Sequence, residues 1–387
     1  MSGKALFVAT VYTHLYAFHI PFMKHLQGLG YEVHAAASPV GGFEKDVEAA
    51  GVRCWDVPFS RSAMRLQNVT AYGKLRALLK RNSYDLVHVH TPVAAWLGRL
   101  AARRAGQGPV LYTAHGFHFF KGMPWHYWLL YRPAEWLAAR WTDGLIVINS
   151  EDFEQAERMG FRGGKDLFLV HGVGVDLTRY GSEATDSRPA RTELGLEAED
   201  LVVTCVAEFT PTKNHGFLLS AWPLVHERVP AAHLILVGDG CKLRSLKRRA
   251  LREELPNVRF LGFRRDVPDI LQATDVVVLP SKREGLPRAI TEAMAAGKPV
   301  VAADVRGSRD LVKHDVTGLL VQLGDVPGLA GAVTRLLQDG ELRQRMGRAG
   351  QARVEDYSLQ RVLEEMRGIY ARYLGVERNE TGGGNLR

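Results

Sequence analysis

The sequence of 387 residues predicts an α/β protein with two doubly wound domains, each built on a parallel sheet. The length exceeds what one ordinary hydrophobic core contains. Strand-like runs rich in Val, Ile and Leu alternate with helical patterns, and such unbroken runs are typical of strands buried on both faces. A polar stretch at 176–200, which shows no strand pattern, separates two sets of about six strands.

The predicted strands divide between a first domain at 1–180 and a second at 190–355. The first set is 5–11, 32–38, 85–90, 109–115, 144–150 and 167–173. The second set is 201–208, 233–239, 258–262, 275–281, 299–304 and 318–322. In doubly wound sheets ligands bind beyond the carboxyl ends of the strands. We therefore expect two domains that face each other across a cleft, with the chemistry in the loops that follow these strands.

The charge of the chain is +8, and it is unevenly distributed. Between Val57 and Ala134 the only acidic residue is Asp85, among many lysines and arginines. This pattern indicates either a solvated basic face or an anionic partner, such as a membrane surface, a lipid phosphate or a nucleic acid. The N-terminus lacks the apolar region of a signal peptide, and no run of about 18 apolar residues occurs. The sequence thus predicts a cytoplasmic protein that does not span a membrane.

Three loops of the second set carry candidate binding residues. Lys213 opens a helix after 201–208, which is typical of a phosphate site but also of an ordinary surface lysine. Gly238 belongs to a G-D-G turn that either approaches a ligand or simply turns the chain. Phe263 and Arg264 follow 258–262 and could lie beside a nucleobase, although Asp266 also fits the start of a capped helix.

Two glutamates occupy the stretch SKREGLPRAITEAMAAGKPVV at 281–301. We expect Glu284 in a loop and Glu292 on the following helix, away from its buried stripe. Pro287 suits the first turn of that helix. The N–H groups of Gly285 and Leu286 then lie at the positive helix end, where a phosphate is stabilised. The carboxylates on either side could hold sugar hydroxyls.

In the first domain, His115 ends the run 109–115 and fits either a substrate contact or a structural hydrogen bond. The segment behind it is both aromatic and basic, with Phe119, Phe120, Lys121, Trp125, Tyr127, Trp128 and Arg132. This segment fits core packing, nucleic-acid stacking or a membrane-contacting patch. Because no nucleic-acid-binding motif accompanies it, membrane contact is favoured over stacking. His14 and His19 follow the first strand. The sequence shows no clustered metal ligands, so we expect no metal.

Together these motifs resemble the retaining glycosyltransferases of family 4, which have the GT-B fold. The resemblance covers nearly the whole chain, through F-H-I-P, H-G-F-H-F, H-G-V-G-V-D, K-N-H, L-V-G-D-G and the E-G-L-P motif with its second glutamate. The sequence is most similar to bacterial transferases of exopolysaccharide, capsule and lipid-linked oligosaccharide assembly, of the EpsD type.

The resemblance implies a role for each motif residue. Glu284 and the backbone of Gly285, Leu286 and Pro287 would bind the donor sugar and phosphate. Glu292 would hold the ribose, Phe263 and Arg264 would flank the base, and Gly238 would belong to the donor site. Lys213 would neutralise the leaving diphosphate, and His115 would face the sugar and acceptor. Transfer would proceed with retention by front-side attack, without a cofactor or metal.

Two departures from the family pattern affect these roles. Glu208 stands where many members carry an arginine, which leaves Lys213 and Arg283 to neutralise the diphosphate. The glycine-rich loop of many members is absent, and Thr13 and His14 occupy that place on the acceptor side. The family also implies that helix 358–374 packs back on the first domain.

The sequence therefore predicts transfer of a sugar from a nucleotide donor, expected to be UDP-linked, to a lipid-diphosphate-linked or saccharide acceptor. The enzyme would act at the inner face of the cytoplasmic membrane, on an anionic surface and without nucleic acid. Two alternatives stay open: a nucleotide-sugar epimerase of the same fold, and a nucleotide-sugar-binding protein without catalysis. The E-G-L-P motif disfavours the epimerase, and the intact glutamates, Lys213 and His115 disfavour the binding protein.

Overall fold

The computed structural model describes residues 3–120, 125–180 and 188–375. The chain divides into two compact units. The first comprises the chain up to Val173 together with the segment from Gln360 onward, and the second comprises Gly174–Leu359. The boundary therefore lies between Val173 and Gly174.

The first unit contains a sheet of seven parallel strands in the order β3-β2-β1-β4-β5-β6-β7. The strands are β1 Lys4–Val11, β2 Glu32–Ser38, β3 Arg53–Asp56, β4 Leu86–His90, β5 Val110–Ala114, β6 Gly144–Val147 and β7 Leu167–Leu169. β4 and β5 are buried at every position, because helices cover both faces of the sheet. The order reverses direction between β1 and β4, which is the point where such sheets bind ligands.

Helices α1–α7 connect or follow these strands. They are α1 Tyr12–Phe18, α2 Ile20–Gly28, α3 Glu44–Glu48, α4 Gln67–Arg81, α5 Pro92–Ala105, α6 Trp125–Ala139 and α7 Ser150–Arg158. One buried apolar cluster includes Leu75, Val87 and Tyr112. A second includes Phe7, Leu111 and residues of the last helix of the chain.

The second unit repeats this plan with six parallel strands in the order β10-β9-β8-β11-β12-β13. The strands are β8 Leu201–Val206, β9 Ala232–Val237, β10 Val258–Gly262, β11 Val276–Leu279, β12 Val300–Ala303 and β13 Gly318–Val321. The helices are α8 Arg188–Glu193, α9 His215–Arg228, α10 Leu243–Arg252, α11 Val267–Gln272, α12 Arg288–Ala295, α13 Ser308–Leu311, α14 Val326–Gln338 and α15 Gly340–Val354. Two 3-10 turns, Leu177–Arg179 and Glu355–Tyr357, lie near its two ends in sequence.

The last helix, α16 Leu359–Leu374, packs on the sheet of the first unit. Val362, Met366 and Tyr370 are buried against that sheet. The Tyr370 hydroxyl lies 3.0 Å from Nδ1 of His88 on β4, and a Glu365 carboxylate oxygen lies 2.6 Å from Nδ1 of His171. The segment that the sequence indicated as the final helix thus completes the core of the first unit.

All twelve predicted strands are present, with ends that differ by a few residues. The sequence missed β3, Arg53–Asp56, whose residues R-C-W-D are exposed or only half-buried. This strand lies at the edge of the sheet, so it lacks the apolar run by which the interior strands were recognised.

Candidate functional site

The loop after β11 positions Glu284 beside Lys213. The Lys213 ammonium donates to Glu284 Oε1 over 2.7 Å. Glu284 is only 7% exposed, whereas about a quarter of the Lys213 side chain, 28%, is open to solvent. A buried carboxylate is stabilised by such a partner, while the lysine stays accessible to an additional anion. The pair thus places a positive charge where the sequence predicted a phosphate site.

Backbone contacts hold the loops after β8 and β11 together. The Lys282 N–H donates to the Thr212 carbonyl over 2.8 Å. The Asn214 side chain donates to the Pro280 carbonyl over 3.2 Å, and Asn214 itself has a left-handed backbone. These bonds fix the two segments that carry Lys213 and Glu284, so the ion pair is a property of the scaffold rather than of two free side chains.

A close backbone approach supports the loop from behind. The buried Arg306 side chain donates to the Glu284 carbonyl over 3.2 Å. Gly307 has φ of 72°, and a Cβ there would lie 2.2 Å from the Gly285 carbonyl oxygen. Only glycine fits this position. The Gly285 backbone is therefore held by a neighbouring turn.

Helix α12 begins at Arg288, and Pro287 occupies the N-cap position before it. The sequence had placed Pro287 in the first turn, so the helix starts slightly later than expected. Gly285 and Leu286 precede the N-cap and are half-buried. The backbone that the sequence assigned to phosphate binding thus lies at the helix N-terminus, as predicted from the motif.

The expectation that Glu292 lies away from the buried side of its helix was wrong. Glu292 is 8% exposed. The Tyr180 hydroxyl donates to its Oε1 over 2.8 Å, and the Arg288 Nε lies 2.8 Å from the same oxygen. Burial raises the pKa of Tyr180, and the Glu292 carboxylate adds to this rise. Two polar partners therefore compensate for the burial of this carboxylate.

The remaining residues assigned to the donor lie in different surroundings. Arg264 is paired with Asp266 and with Glu193, the latter over 2.7 Å. Asp266 precedes α11 but makes no side-chain cap bond, because its carboxylate binds Arg264. Phe263 is 62% exposed and offers an aromatic face to solvent.

Close backbone packing explains why residue 238 is a glycine. Its φ is 142°, and a Cβ would lie 2.2 Å from the Ala207 carbonyl oxygen. Arg283 is half-buried, and Glu208 is exposed on the loop after β8. Within the described ranges no salt bridge involves Arg283, which leaves its charge available to a ligand.

In the first unit five histidines lie together at the carboxyl end of the sheet, and we call His14, His19, His88, His90 and His115 the histidine cluster. His14 and His19 come from α1 and the residue that follows it, His88 and His90 from β4, and His115 from the end of β5. The ring centroids of His14 and His115 lie 4.6 Å apart, and those of His19 and His90 lie 3.8 Å apart.

Burial lowers the pKa of every member of the histidine cluster. The pKa of His115 falls to about 4 and that of His88 to about 3. The pKa values of His14, His19 and His90 also lie well below the usual range, because burial and neighbouring imidazoles both disfavour a charge. These imidazoles are therefore neutral at pH 7. His115 Nε2 is buried without a hydrogen-bond partner.

The sequence had not associated His88 and His90 with the site. The alternation H-V-H in 85–90 places both side chains on the same face of a strand near its carboxyl end, which was the available signal. Thr13, predicted on the acceptor side, is half-exposed, and its Oγ1 lies 3.3 Å from where a Cβ on Gly41 would be.

The aromatic and basic segment divides between core and surface. Phe119 and Phe120 are buried, and Tyr127 and Trp128 are half-buried. Helix α6 exposes a large apolar area together with Arg132, and the exposed Arg140 follows its last residue; its most exposed apolar side chains are Trp125, Leu129, Leu130, Trp136 and Leu137. Lys121 lies outside the described residues. None of the helices in the described ranges is both long enough and apolar enough to cross a bilayer.

Comparison with protein families and structures places these two units in one class. Residues 22–179 match the model described as Glycosyltransferase Family 4, and residues 186–353 match the model described as Glycosyl transferases group 1. HepE of Anabaena, solved with UDP and glucose, superimposes with a TM-score of 0.79 at 23% identity, over 96% of this chain and 100% of that one. Sucrose-phosphate synthase of Thermosynechococcus elongatus gives 0.78 at 21% identity, over 97% and 100%. The fold is GT-B.

Sequence relatives identify the family. A predicted glycosyltransferase of Bacillus subtilis, EpsD, is 36% identical over 98% of this chain and 99% of its own length. The UDP-Gal:α-D-GlcNAc-diphosphoundecaprenol α-1,3-galactosyltransferase of Escherichia coli is 31% identical, over 82% of this chain and 84% of that protein. The chain belongs to glycosyltransferase family 4, and it is a glycosyltransferase of GT-B type.

Proposed function

We propose that the protein transfers a sugar from a UDP-sugar to a lipid-diphosphate-linked saccharide, with retention of the anomeric configuration, in bacterial surface polysaccharide assembly. The observation that carries the proposal is the Lys213–Glu284 pair at the start of α12, 2.7 Å long and fixed by the loops around it. The Escherichia coli relative, which is named for a UDP-galactose donor and a diphosphoundecaprenol-linked acceptor, supports both substrate classes.

The pair gives each residue a distinct task. Lys213 is accessible to an anion, so a donor diphosphate can compete with Glu284 for its ammonium. The released Glu284 carboxylate then accepts hydrogen bonds from sugar hydroxyls. As the bond from the anomeric carbon to the phosphate oxygen breaks, negative charge grows on the leaving UDP, and the fixed cation stabilises it.

Glu292 and His115 each have a further proposed role. Glu292, held by Tyr180 and Arg288, would accept bonds from the two ribose hydroxyls. His115 is neutral, so its imidazole can exchange hydrogen bonds with sugar hydroxyls without adding charge. Phosphate charge would be neutralised by Lys213 and Arg283, which makes the reaction independent of a metal ion. The departing phosphate oxygen takes the acceptor's proton, and the acceptor oxygen forms the new bond on the same face of the sugar.

The exposed face of α6 supports attachment to the inner membrane surface. Trp125 and Leu130 are 72% and 63% exposed, and Arg132 lies on the same helix. Aromatic rings and basic residues together are typical of interfacial helices. We expect flotation with vesicles that contain anionic lipid, and weaker flotation for Leu130→Glu. Leu251→Glu, which changes an exposed leucine of α10, is the matched control. Equal flotation of Leu130→Glu and Leu251→Glu would contradict membrane attachment through α6.

A donor and acceptor screen tests the proposed reaction. The purified chain is incubated with one donor, UDP-galactose, UDP-glucose, UDP-N-acetylglucosamine or GDP-mannose. The acceptor is diphosphoundecaprenol-linked N-acetylglucosamine, and the masses of the products are measured by mass spectrometry. We expect a one-sugar product from a UDP-sugar, an α-linkage by NMR, and no loss of rate in EDTA. Glu284→Gln should abolish transfer, whereas Glu253→Gln, on the exposed surface of the same unit, should not. Isomerised donor without transfer, or product only from GDP-mannose, would overturn the proposal.

A further inference from the structure

The histidine cluster places three imidazoles around one point. The ligand nitrogens of His14, His19 and His115 all lie within 4.8 Å of one another. These residues come from the helix after β1, from the turn that follows that helix, and from the end of β5. Sequence spacing did not indicate this arrangement, because His115 lies in a segment far from His14 and His19 and the three form no metal-binding motif.

The distances are close to those of a metal centre. A tetrahedral ion with bonds of 2.0–2.1 Å to nitrogen separates its ligand atoms by about 3.3 Å. The Nε2 atoms of His14 and His19 already lie 3.3 Å apart. The ligand nitrogen of His115 lies within 4.8 Å of both, so it would have to approach the pair to complete a tetrahedral geometry. Three ligands would leave a fourth position open.

We propose that His14, His19 and His115 form a binding site for a transition metal ion of the Zn²⁺ class. Imidazole nitrogen is a preferred ligand of Zn²⁺, Ni²⁺ and Cu²⁺, whereas Mg²⁺ and Ca²⁺ prefer oxygen. The site follows from the geometry of the first unit alone, but it shares His115 with the proposed transfer, so a bound ion would withdraw that imidazole from the sugar.

Two observations favour a ligand over simple packing of rings. His115 Nε2 is buried and makes no hydrogen bond. Buried polar atoms are normally paired, so this nitrogen calls for a partner. The metal-free cluster also forces the two Nε2 atoms of His14 and His19 to share one proton, and a metal ion would replace that proton.

Direct binding tests the site with Zn²⁺ alone. Tag-free protein is treated with chelator and dialysed, and Zn²⁺ binding is then measured by calorimetry and by metal analysis after equilibrium dialysis. We expect one ion per chain, with His14→Ala and His19→Gln each weakening the affinity at least about tenfold, since even loss of an outer-shell partner costs that much. A large excess of Mg²⁺ should not compete.

The matched control is His126→Ala, which removes an exposed histidine of α6 in the same unit. Its Zn²⁺ affinity should equal that of the unchanged chain. Thermal unfolding of each variant without metal shows whether the fold is intact, and Zn²⁺ should raise the unfolding temperature of the unchanged chain more than that of His14→Ala. Absence of saturable binding, or equal weakening by His126→Ala and His14→Ala, would overturn the site.

Discussion

Tyr180→Phe tests whether Glu292 is held in place for a ligand. The change removes only the hydroxyl that donates to Glu292 Oε1 over 2.8 Å, and the phenyl ring fills the same space. Tyr180 and Glu292 are both buried, so the hydroxyl donates to a shielded carboxylate. Bonds to charged groups contribute about 1.5–3 kcal/mol. Because Arg288 still contacts the same oxygen, the loss should lie near the lower end, about 1.5 kcal/mol.

The free energy of unfolding is measured in urea on the intact chain, and UDP affinity is measured by calorimetry. Tyr357→Phe is the matched control, because that hydroxyl donates to the neutral Asp310 carbonyl over 3.2 Å in the same unit. We expect the control to cost about 0.5–1.5 kcal/mol and to leave UDP affinity unchanged. Tyr180→Phe should weaken UDP binding several-fold, since a mobile Glu292 holds the ribose less well. Unchanged UDP affinity in Tyr180→Phe would refute the positioning role.

Three further predictions address other parts of the chain. Lys213→Ala should lower the rate of UDP release in the transfer assay at least about 100-fold, because the leaving diphosphate loses a fixed charge beside Glu284; a rate within threefold of normal would contradict this. Tyr370→Ala should lower the free energy of unfolding by about 3–5 kcal/mol, because it leaves a cavity against the first sheet. Tyr370→Phe should lose only the hydrogen bond to His88. Equal losses for the two variants in urea titrations would argue against this packing. Stability should also fall as the pH drops from about 6.5 to 4, because the unfolded chain binds protons on its histidines while His88 and His115 stay neutral in the native state, with pKa values of about 3 and 4. The contribution is fully present above pH 6.5, and urea midpoints that do not change between pH 7 and pH 5 would show that these histidines are not neutral when buried.

The interior strands were predictable because burial on both faces leaves a direct mark on sequence. Runs such as 233–239 and 275–281 contain unbroken apolar stretches, and both became largely buried strands. β3 left no such mark, since an edge strand with half-exposed side chains needs no apolar run. Apolar runs do not indicate the order of the strands within a sheet, and that order became known only from the structure.

The candidate site was only partly predictable. Lys213 was recognised because it lies beside a helix N-terminus, and Glu284 because it precedes a helix in the E-G-L-P motif; the structure brings them to 2.7 Å. The burial of Glu292 was not predictable, because its main partner, Tyr180, is far away in sequence within a polar linker. The histidine cluster was missed for the same reason, as its members come from three separate segments that only the sheet brings together.

The placement of α16 has a consequence for synthesis of the chain. The sheet of the first unit is complete in sequence at β7, but the helix that covers Phe7, Leu111 and Ile146 lies after the whole second unit. A ribosome therefore finishes residues 174–359 before the first unit can close its core, and the uncovered apolar face waits during that time. The first unit is synthesised first but completed last. A chain that stops before Gln360 therefore lacks the helix that covers the core of its first unit.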